Sequence, residues 1–280
     1  MVTGATGRQG GALARRLVSD GWRVRGLTRD AGSKKAVALG DAGIEVVRGD
    51  MADPDSLAAA FAGAHGVYSV QNPMISGHEM EIAQGKNVVD AALAAGAQHI
   101  VYGSAGPGHE RTGIEQWDAK LDIEEHARRR GAPVTSLRPM AFLELMTDKA
   151  FYPNVSVWHV MPKLVGWDRP IPWVGVDDLA VVAAAVFARP DEFVGRDLPI
   201  ASDRRTLEEC RNAWKEVTGK PPRKFPMPTG LFERFVGKDT TRMWRWLHTN
   251  PVDVDATTAA AIHPTMQPVR EWLAQRAGRG

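Results

Sequence analysis

The stretch Met1-Val2-Thr3-Gly4-Ala5-Thr6-Gly7-Arg8-Gln9-Gly10-Gly11 decides the fold. A short apolar lead runs into glycines at 4, 7 and 10, and from Gly11 onward Leu13, Leu17 and Val18 fall at helical spacing. Each glycine has a physical task. Gly4 permits the turn out of a strand, Gly7 has no side chain to hold a pyrophosphate off the backbone, and Gly10 lets the following helix pack closely on the sheet. Phosphates would then meet the free N–H groups and the dipole of that helix, with Thr6, Arg8 and Gln9 as the neighbouring contacts. Glycines also serve ordinary turns, but a strand before and a helix after are the context of a dinucleotide loop. A buried first strand usually runs to about five residues, yet only Met1, Val2 and Thr3 precede Gly4. Either upstream residues are missing or this strand is unusually short.

Outward from the loop, strands read over 22–28, 44–47, 66–70 and 99–102, and helices over 11–20, 55–62 and 79–95. That alternation predicts βαβ units and a parallel sheet. The expected fold is α/β, a Rossmann-type doubly wound sheet with a smaller C-terminal α+β lobe. Residues 1–140 would form the dinucleotide-binding domain, helped by a strand and a helix from about 170–200, and 141–280 the cover lobe. The division follows composition, because most of the 18 prolines and nine tryptophans lie from Pro139 onward.

Other classes recede. The chain is 44% hydrophobic and 24% charged, the balance of a globular protein with a core of its own. A net charge of +2 leaves no electrostatic footprint for nucleic acid, and Arg128, Arg129 and Arg130 read as the solvated last turn of a helix before Gly131. Cys210 is the single cysteine, so neither a disulfide nor a cysteine zinc site is expected. His78 and His159 lack ligand spacing, and no metal is expected. With no signal-like leader and no apolar run longer than 179–188, the expectation is a cytoplasmic protein without a membrane partner.

The second strand ends in Thr28-Arg29-Asp30, where the adenosine ribose would lie. A carboxylate there suits NAD and an arginine the 2′-phosphate of NADP. Arg29 comes first, with Lys34 and Lys35 close behind, so NADP(H) is preferred over NAD(H). After the third strand, Asp50 and Met51 are placed for adenine, while Asp50 or Asp53 could instead cap the helix that follows. Gln71 and Asn72 follow the fourth strand, at the sheet edge where such folds bind ligands.

These residues resemble the NmrA-like proteins, atypical members of the short-chain dehydrogenase/reductase superfamily. The resemblance rests on 2–11, on Leu27-Thr28-Arg29-Asp30 and Gly49-Asp50, and on Gln116-Trp117-Asp118-Ala119-Lys120 with Glu124. It continues through Thr135-Ser136-Leu137-Arg138-Pro139 with Phe142 and Glu144, then 172–180, and fades near residue 230. It implies an NAD(P) cofactor and two kinds of function. Some members are sensors and regulators that do no chemistry, and others are NADPH-dependent reductases of quinones, dyes and aromatic compounds. Typical short-chain dehydrogenases set a tyrosine four residues before a lysine, with a serine at a strand end. Here Lys120 matches the lysine and Ser104 lies near the serine position, but Gln116 stands where the tyrosine would be and cannot act as an acid. Lys120 would hold the nicotinamide ribose; the alternative is an exposed helical lysine paired with Glu124. Pro139 and Phe142 could back the nicotinamide.

Substrate-pocket candidates are Trp158, His159, Trp173 and Trp244, with Met161, Met243, Trp246 and Tyr152 beside them; a core role is at least as well supported for each. The leading expectation is a reductase of a small quinone-like or aromatic acceptor. The alternative is a non-catalytic NADP(H) sensor that binds a protein partner, and a homodimer stays open.

Overall fold

A computed structural model of the protein describes residues 1–148, 157–224 and 226–277; Tyr152 lies outside them. The elements run α1 (Arg8–Ser19), β1 (Arg25–Thr28), α2 (Lys34–Asp41), β2 (Glu45–Arg48), α3 (Pro54–Phe61), β3 (Gly66–Ser69), a single turn α4 (Pro73–Ser76), α5 (His78–Ala94) and β4 (His99–Gly103). They continue with α6 (Glu115–Arg129), β5 (Val134–Pro139), β6 (Ala141–Phe142), α7 (Val157–Val165), β7 (Ile171–Val174), α8 (Val176–Ala188), α9 (Pro190–Phe193) and β8 (Asp197–Ile200). The C-terminal part holds β9 (Asp203–Arg205), α10 (Leu207–Thr218), α11 (Thr229–Val236), α12 (Lys238–Thr249), α13 (Thr257–Ile262) and α14 (Val269–Ala277).

The main sheet is parallel, with β1 beside β2 and β3-β4-β5-β8 in that order. Val2 joins the two halves by parallel bridges to Gly26 and Tyr68. Its N–H donates to Arg25 O at 2.8 Å, its carbonyl accepts from Leu27 N at 2.9 Å, and Thr3 N donates to Tyr68 O at 3.0 Å. Val2 and Thr3 thus occupy the centre of the sheet. The resulting order, β2-β1-Val2-β3-β4-β5-β8, reverses direction at Val2, and such a switch point opens a crevice at the strand C-termini.

One face of this sheet buries Leu13, Leu17, Val101, Leu137 and Phe187 under α1 and α8, and the other buries Leu57, Phe61, Val88, Ile100 and Ile123 under α3, α5 and α6. Helices α5 and α6 approach closely because Gly85 offers no side chain; a Cβ there would overlap Ile123 Cδ1. A second sheet, β6-β7-β9, has β6 parallel and β9 antiparallel to β7. Its surroundings form a third core, built by α7, α10, α12 and α14 around Trp173 and Trp244. Local signals set the ends: Asp53 caps α3 with Pro54 at its first position, and Thr206 with Glu209 forms a capping box on α10.

The arginine run ends α6 as read from the sequence, and each side chain is paired: Arg128 with Glu124 and Asp197, Arg129 with Glu125, Arg130 with Asp90. No helix among the described residues is long and apolar enough to cross a membrane.

Candidate functional site

The glycine loop has the geometry its sequence demands. Gly4 is left-handed at φ +59°, and a Cβ on it would lie 2.9 Å from Val70 Cγ1. A Cβ on Gly10 would lie 2.5 Å from Gly4 O and 2.6 Å from Thr3 O, so α1 rests directly on the turn. Gly7 is the N-cap of α1, and no side chain caps the helix. Its first-turn N–H groups are therefore left for an outside anion. Gln9 accepts a hydrogen bond from Tyr68 Oη at 3.3 Å, and Arg8 bonds Asp148 at 2.8 Å through Nε, a bridge from the loop to the segment after β6.

At the C-terminal end of β1, Arg29, Lys34 and Lys35 are exposed. Ser33 caps α2, and the first turn of α2 carries two lysines and no acid, against the helix dipole. Asp30 turns its carboxylate into its own loop, accepting from Gly32 N at 2.9 Å. Asp50 does likewise with Ala52 N at 2.9 Å, leaving the capping of α3 to Asp53. Met51 lies beside Gln71, whose Nε2 is 3.7 Å from the sulfur and 3.0 Å from Ser69 Oγ. Asn72 caps α4 through Met74 N. Two buried polar atoms at these strand ends, Gln71 Oε1 and Ser104 Oγ, have no partner among the described residues. An uncapped helix, a glycine cradle, exposed cations and orphaned polar atoms along one sheet edge fit a bound dinucleotide.

Lys120 departs from the alternative reading of an exposed lysine paired with Glu124. It is buried rather than exposed, and its partner is not Glu124 but Glu81 of α5, at 2.6 Å and fully buried. Glu124 is committed instead to the buried Arg138. The other oxygen of Glu81 is 3.4 Å from His78 Nδ1. Burial alone would raise the Glu81 carboxyl, but Lys120 and His78 outweigh it and hold it below the usual range. His78 is raised, chiefly by its bond to Glu81, with Asp239 and Glu115 adding to the effect. Gln116 faces elsewhere: its Nε2 donates to Thr240 Oγ1 at 2.6 Å, while Asp239 accepts from the backbone N–H groups of Glu115 and Gln116, both at 2.9 Å. The residue at the tyrosine position thus fastens α12 onto α6. The sequence reading missed Glu81, His78 and Asp239. A carboxylate on the buried side of α5 was the available signal for Glu81, and its three-residue spacing from His78 the signal for that pair; Asp239 is set by long-range packing.

Pro139 is buried at the end of β5 and Phe142 is half-buried in β6. Glu144 anchors the chain beyond them, accepting from Val176 N at 3.1 Å and from Arg276 at 3.3 Å, with burial raising its carboxyl. The tryptophans take the core alternative: Trp158, Trp173 and Trp244, with Met161 and Met243, all belong to the third core. Trp158 Nε1 donates to Met146 O and Trp173 Nε1 to Arg205 O, so the donors point into backbone rather than toward a ligand. Trp246 packs edge-on against Trp117, and His159 sits 2.8 Å from Lys163 Nζ. A cleft of about 440 Å³ between Asp203, Glu209 and Arg270, and another of about 210 Å³ beside His109 and Arg138, lie away from the glycine loop. Among the described residues no group of His, Cys, Asp and Glu could hold a metal.

Comparison with known proteins places this geometry. The profile of the NmrA-like family matches residues 1–273. The NmrA-like family domain-containing oxidoreductase FrzB of Cladobotryum sp is 31% identical over 252 residues, 81% of this chain and 75% of its own length. The corresponding oxidoreductase lnaB of Aspergillus flavus is 29% identical over 252 residues, with the same coverage of 81% and 75%. Among solved structures, NmrA, a negative transcriptional regulator, in complex with NAD aligns at TM-score 0.82 and 19% identity over 99% of this chain and 94% of that one. Triphenylmethane reductase of Citrobacter sp complexed with NADP(H) aligns at TM-score 0.77 and 22% identity over 99% and 98%. At such identities the structural likeness speaks for the fold.

Proposed function

The chain belongs to the NmrA-like family, and on that premise we propose that it is an NADPH-dependent reductase of a flat, quinone-like or aromatic acceptor. The observation that carries the cofactor choice is the end of β1. Three exposed cations stand there, two of them on a helix turn whose dipole disfavours positive charge, and the neighbouring Asp30 spends one carboxylate oxygen on Gly32 N–H. A 2′-phosphate would satisfy those three cations, which outnumber the single carboxylate of Asp30 at the same strand end. When bound, the dinucleotide supplies the hydride. The first turn of α1 would hold its pyrophosphate, Met51 and Gln71 its adenine side, and Lys120 the nicotinamide ribose, with Ser104 Oγ a free hydroxyl at the same sheet edge.

Gln116 is engaged with Thr240 and cannot give a proton. That favours an acceptor whose delocalised product anion collects its proton from water. The relatives FrzB and lnaB, named as oxidoreductases, support catalysis. A second reading, a sensor that binds a protein partner according to cofactor state, draws on Met74 and Ile75, which are 58% and 70% exposed just beyond β3. The deciding experiment is an NADPH-oxidation screen across quinones, triarylmethane dyes and enones. Acceptor-dependent turnover supports the reductase; none with any acceptor, in protein that binds NADPH, overturns it in favour of the sensor.

A further inference from the structure

We infer that Glu81 is the positioning residue for Lys120, holding its ammonium toward the cofactor in a chain without the tyrosine four residues earlier; this rests on the reading of Lys120 as a cofactor-holding residue. Glu81 is fully buried, and a carboxylate in that position requires partners. It has two, Lys120 Nζ at 2.6 Å on one oxygen and His78 Nδ1 at 3.4 Å on the other. An ammonium has three donors. Glu81 takes one, which fixes the direction of the remaining two.

The backbone prepares this contact. Gly85 lies one turn after Glu81 on α5, and Ile123 lies nearly one turn after Lys120 on α6. The bare Gly85 surface receives Ile123, drawing the helices together and setting Glu81 opposite Lys120. On α6 itself, Gln116, Lys120 and Glu124 share one face at four-residue spacing. Gln116 is tied to Thr240 and Glu124 gives Oε2 to Arg138 and Arg128, while the carboxylate bonded to Lys120 is that of Glu81. His78 closes the set on the solvent side, where Glu115 and Asp239 also face it.

The experiment is a fluorescence titration of NADPH against the full chain and four variants, each with a thermal melt: Glu81→Gln, Glu81→Asp, Lys120→Met and the double variant Glu81→Gln/Lys120→Met. Positioning by charge predicts that Glu81→Gln weakens NADPH about tenfold, the scale of one hydrogen bond to a charged group. Lys120→Met should do the same, and the double variant should be no worse than either single one. Glu81→Asp keeps the charge and stays within about threefold of wild type, because the flexible lysine can follow a shorter carboxylate. A packing role reverses the order, since Gln matches the shape of Glu and Asp does not. Wild-type affinity in folded Glu81→Gln, that reversed order, or additive losses in the double variant would each overturn the inference. If Lys120→Met weakens NADPH while the Glu81 variants are silent, the role of Lys120 stands and only that of Glu81 falls. If Lys120→Met is itself silent, both fall. Should Glu81→Gln not fold, the double variant, which removes both charges, still answers by comparison with Lys120→Met.

Discussion

The glycine loop and the α5–α6 interface are built in different ways. The loop is made of backbone. Gly4, Gly7 and Gly10 act through the absence of side chains, and the nearest atoms to a Cβ at Gly10 are Gly4 O, Gly4 C and Thr3 O. The interface is made of side chains from three helices: His78 and Glu81 are neighbours on α5, but Lys120 of α6 and Asp239 of α12 meet them only after the chain has folded. Backbone constraints act within a few residues and leave a spacing in the sequence. Buried charge networks act across long separations and leave only residue types.

The largest effect is expected on the loop side. Gly10→Val would drive a branched side chain into backbone carbonyls that cannot move without displacing α1. Its stability should fall by more than about 4 kcal/mol, beyond what ordinary core overpacking costs. Urea denaturation measures it. Gly7→Val makes the informative contrast, because its Cβ would stand 3.1 Å from Gly4 O. That variant should stay folded and lose NADPH binding. A folded Gly7→Val that still binds would take the loop out of its proposed role.

On the interface side, Lys120→Ala is expected to cost about 3 kcal/mol, because it leaves a buried carboxylate without its main partner. As an exposed lysine it would have been nearly neutral to replace, so the denaturation midpoint separates the two environments. A loss under about 0.5 kcal/mol would mean that Glu81 readily takes a proton or finds water.

How much was legible in the sequence follows the same division. The βαβ rhythm and the glycine loop depend on neighbours a few residues apart and read correctly from spacing, as does the cap of α3, for which Asp53 is one of two candidates; the cap of α2 at Ser33 goes unread. The strand expected over 22–28 begins only at Arg25, because Trp22 still closes the end of α1 by donating to Leu17 O. Glu124 is the partner offered by the alternative reading of Lys120, because four-residue spacing makes that pair the nearest one along a helix. Nothing local shows that Arg138 claims Glu124 first. The tryptophans leave two readings open, because aromatic residues suit pockets and cores equally, and their neighbours in the third core decide for the core.

A smaller effect is expected from Arg29→Ala. One charge-assisted contact to a 2′-phosphate is worth about tenfold in affinity, so NADPH binding should weaken by that factor while NADH binding hardly changes. Paired titrations check it. Equal losses for both cofactors would sink the assignment of Arg29 to the phosphate and leave Lys34 or Lys35 as the discriminating cation.

The smallest effect, and the most specific to the interface, is on pH dependence. His78 is raised above its ordinary value, first by its bond to Glu81 and further by Asp239 and Glu115, against the opposing effect of burial. A group whose pKa is raised on folding binds its proton more tightly in the folded state. Its stabilising contribution is therefore complete below the unfolded value, about 6.5, and is lost as the pH rises through the higher folded value. His78→Gln removes that contribution and keeps a side chain of similar reach. The wild type should thus melt about 1–3 °C above the variant near pH 6, on the scale of a partly exposed ion pair in a chain of this size. The gap should narrow as the pH rises through the raised folded value, because the imidazole loses its proton there. Glu81 gives the opposite arm, because its carboxyl is held low by Lys120 and its contribution fades only as the pH falls through that lowered value. Melts of both proteins across this range therefore separate His78 from Glu81. A gap that stays constant as the pH rises through the raised value of His78 would show that His78 serves α5 through packing alone and that its protonation does not reach the Glu81–Lys120 pair.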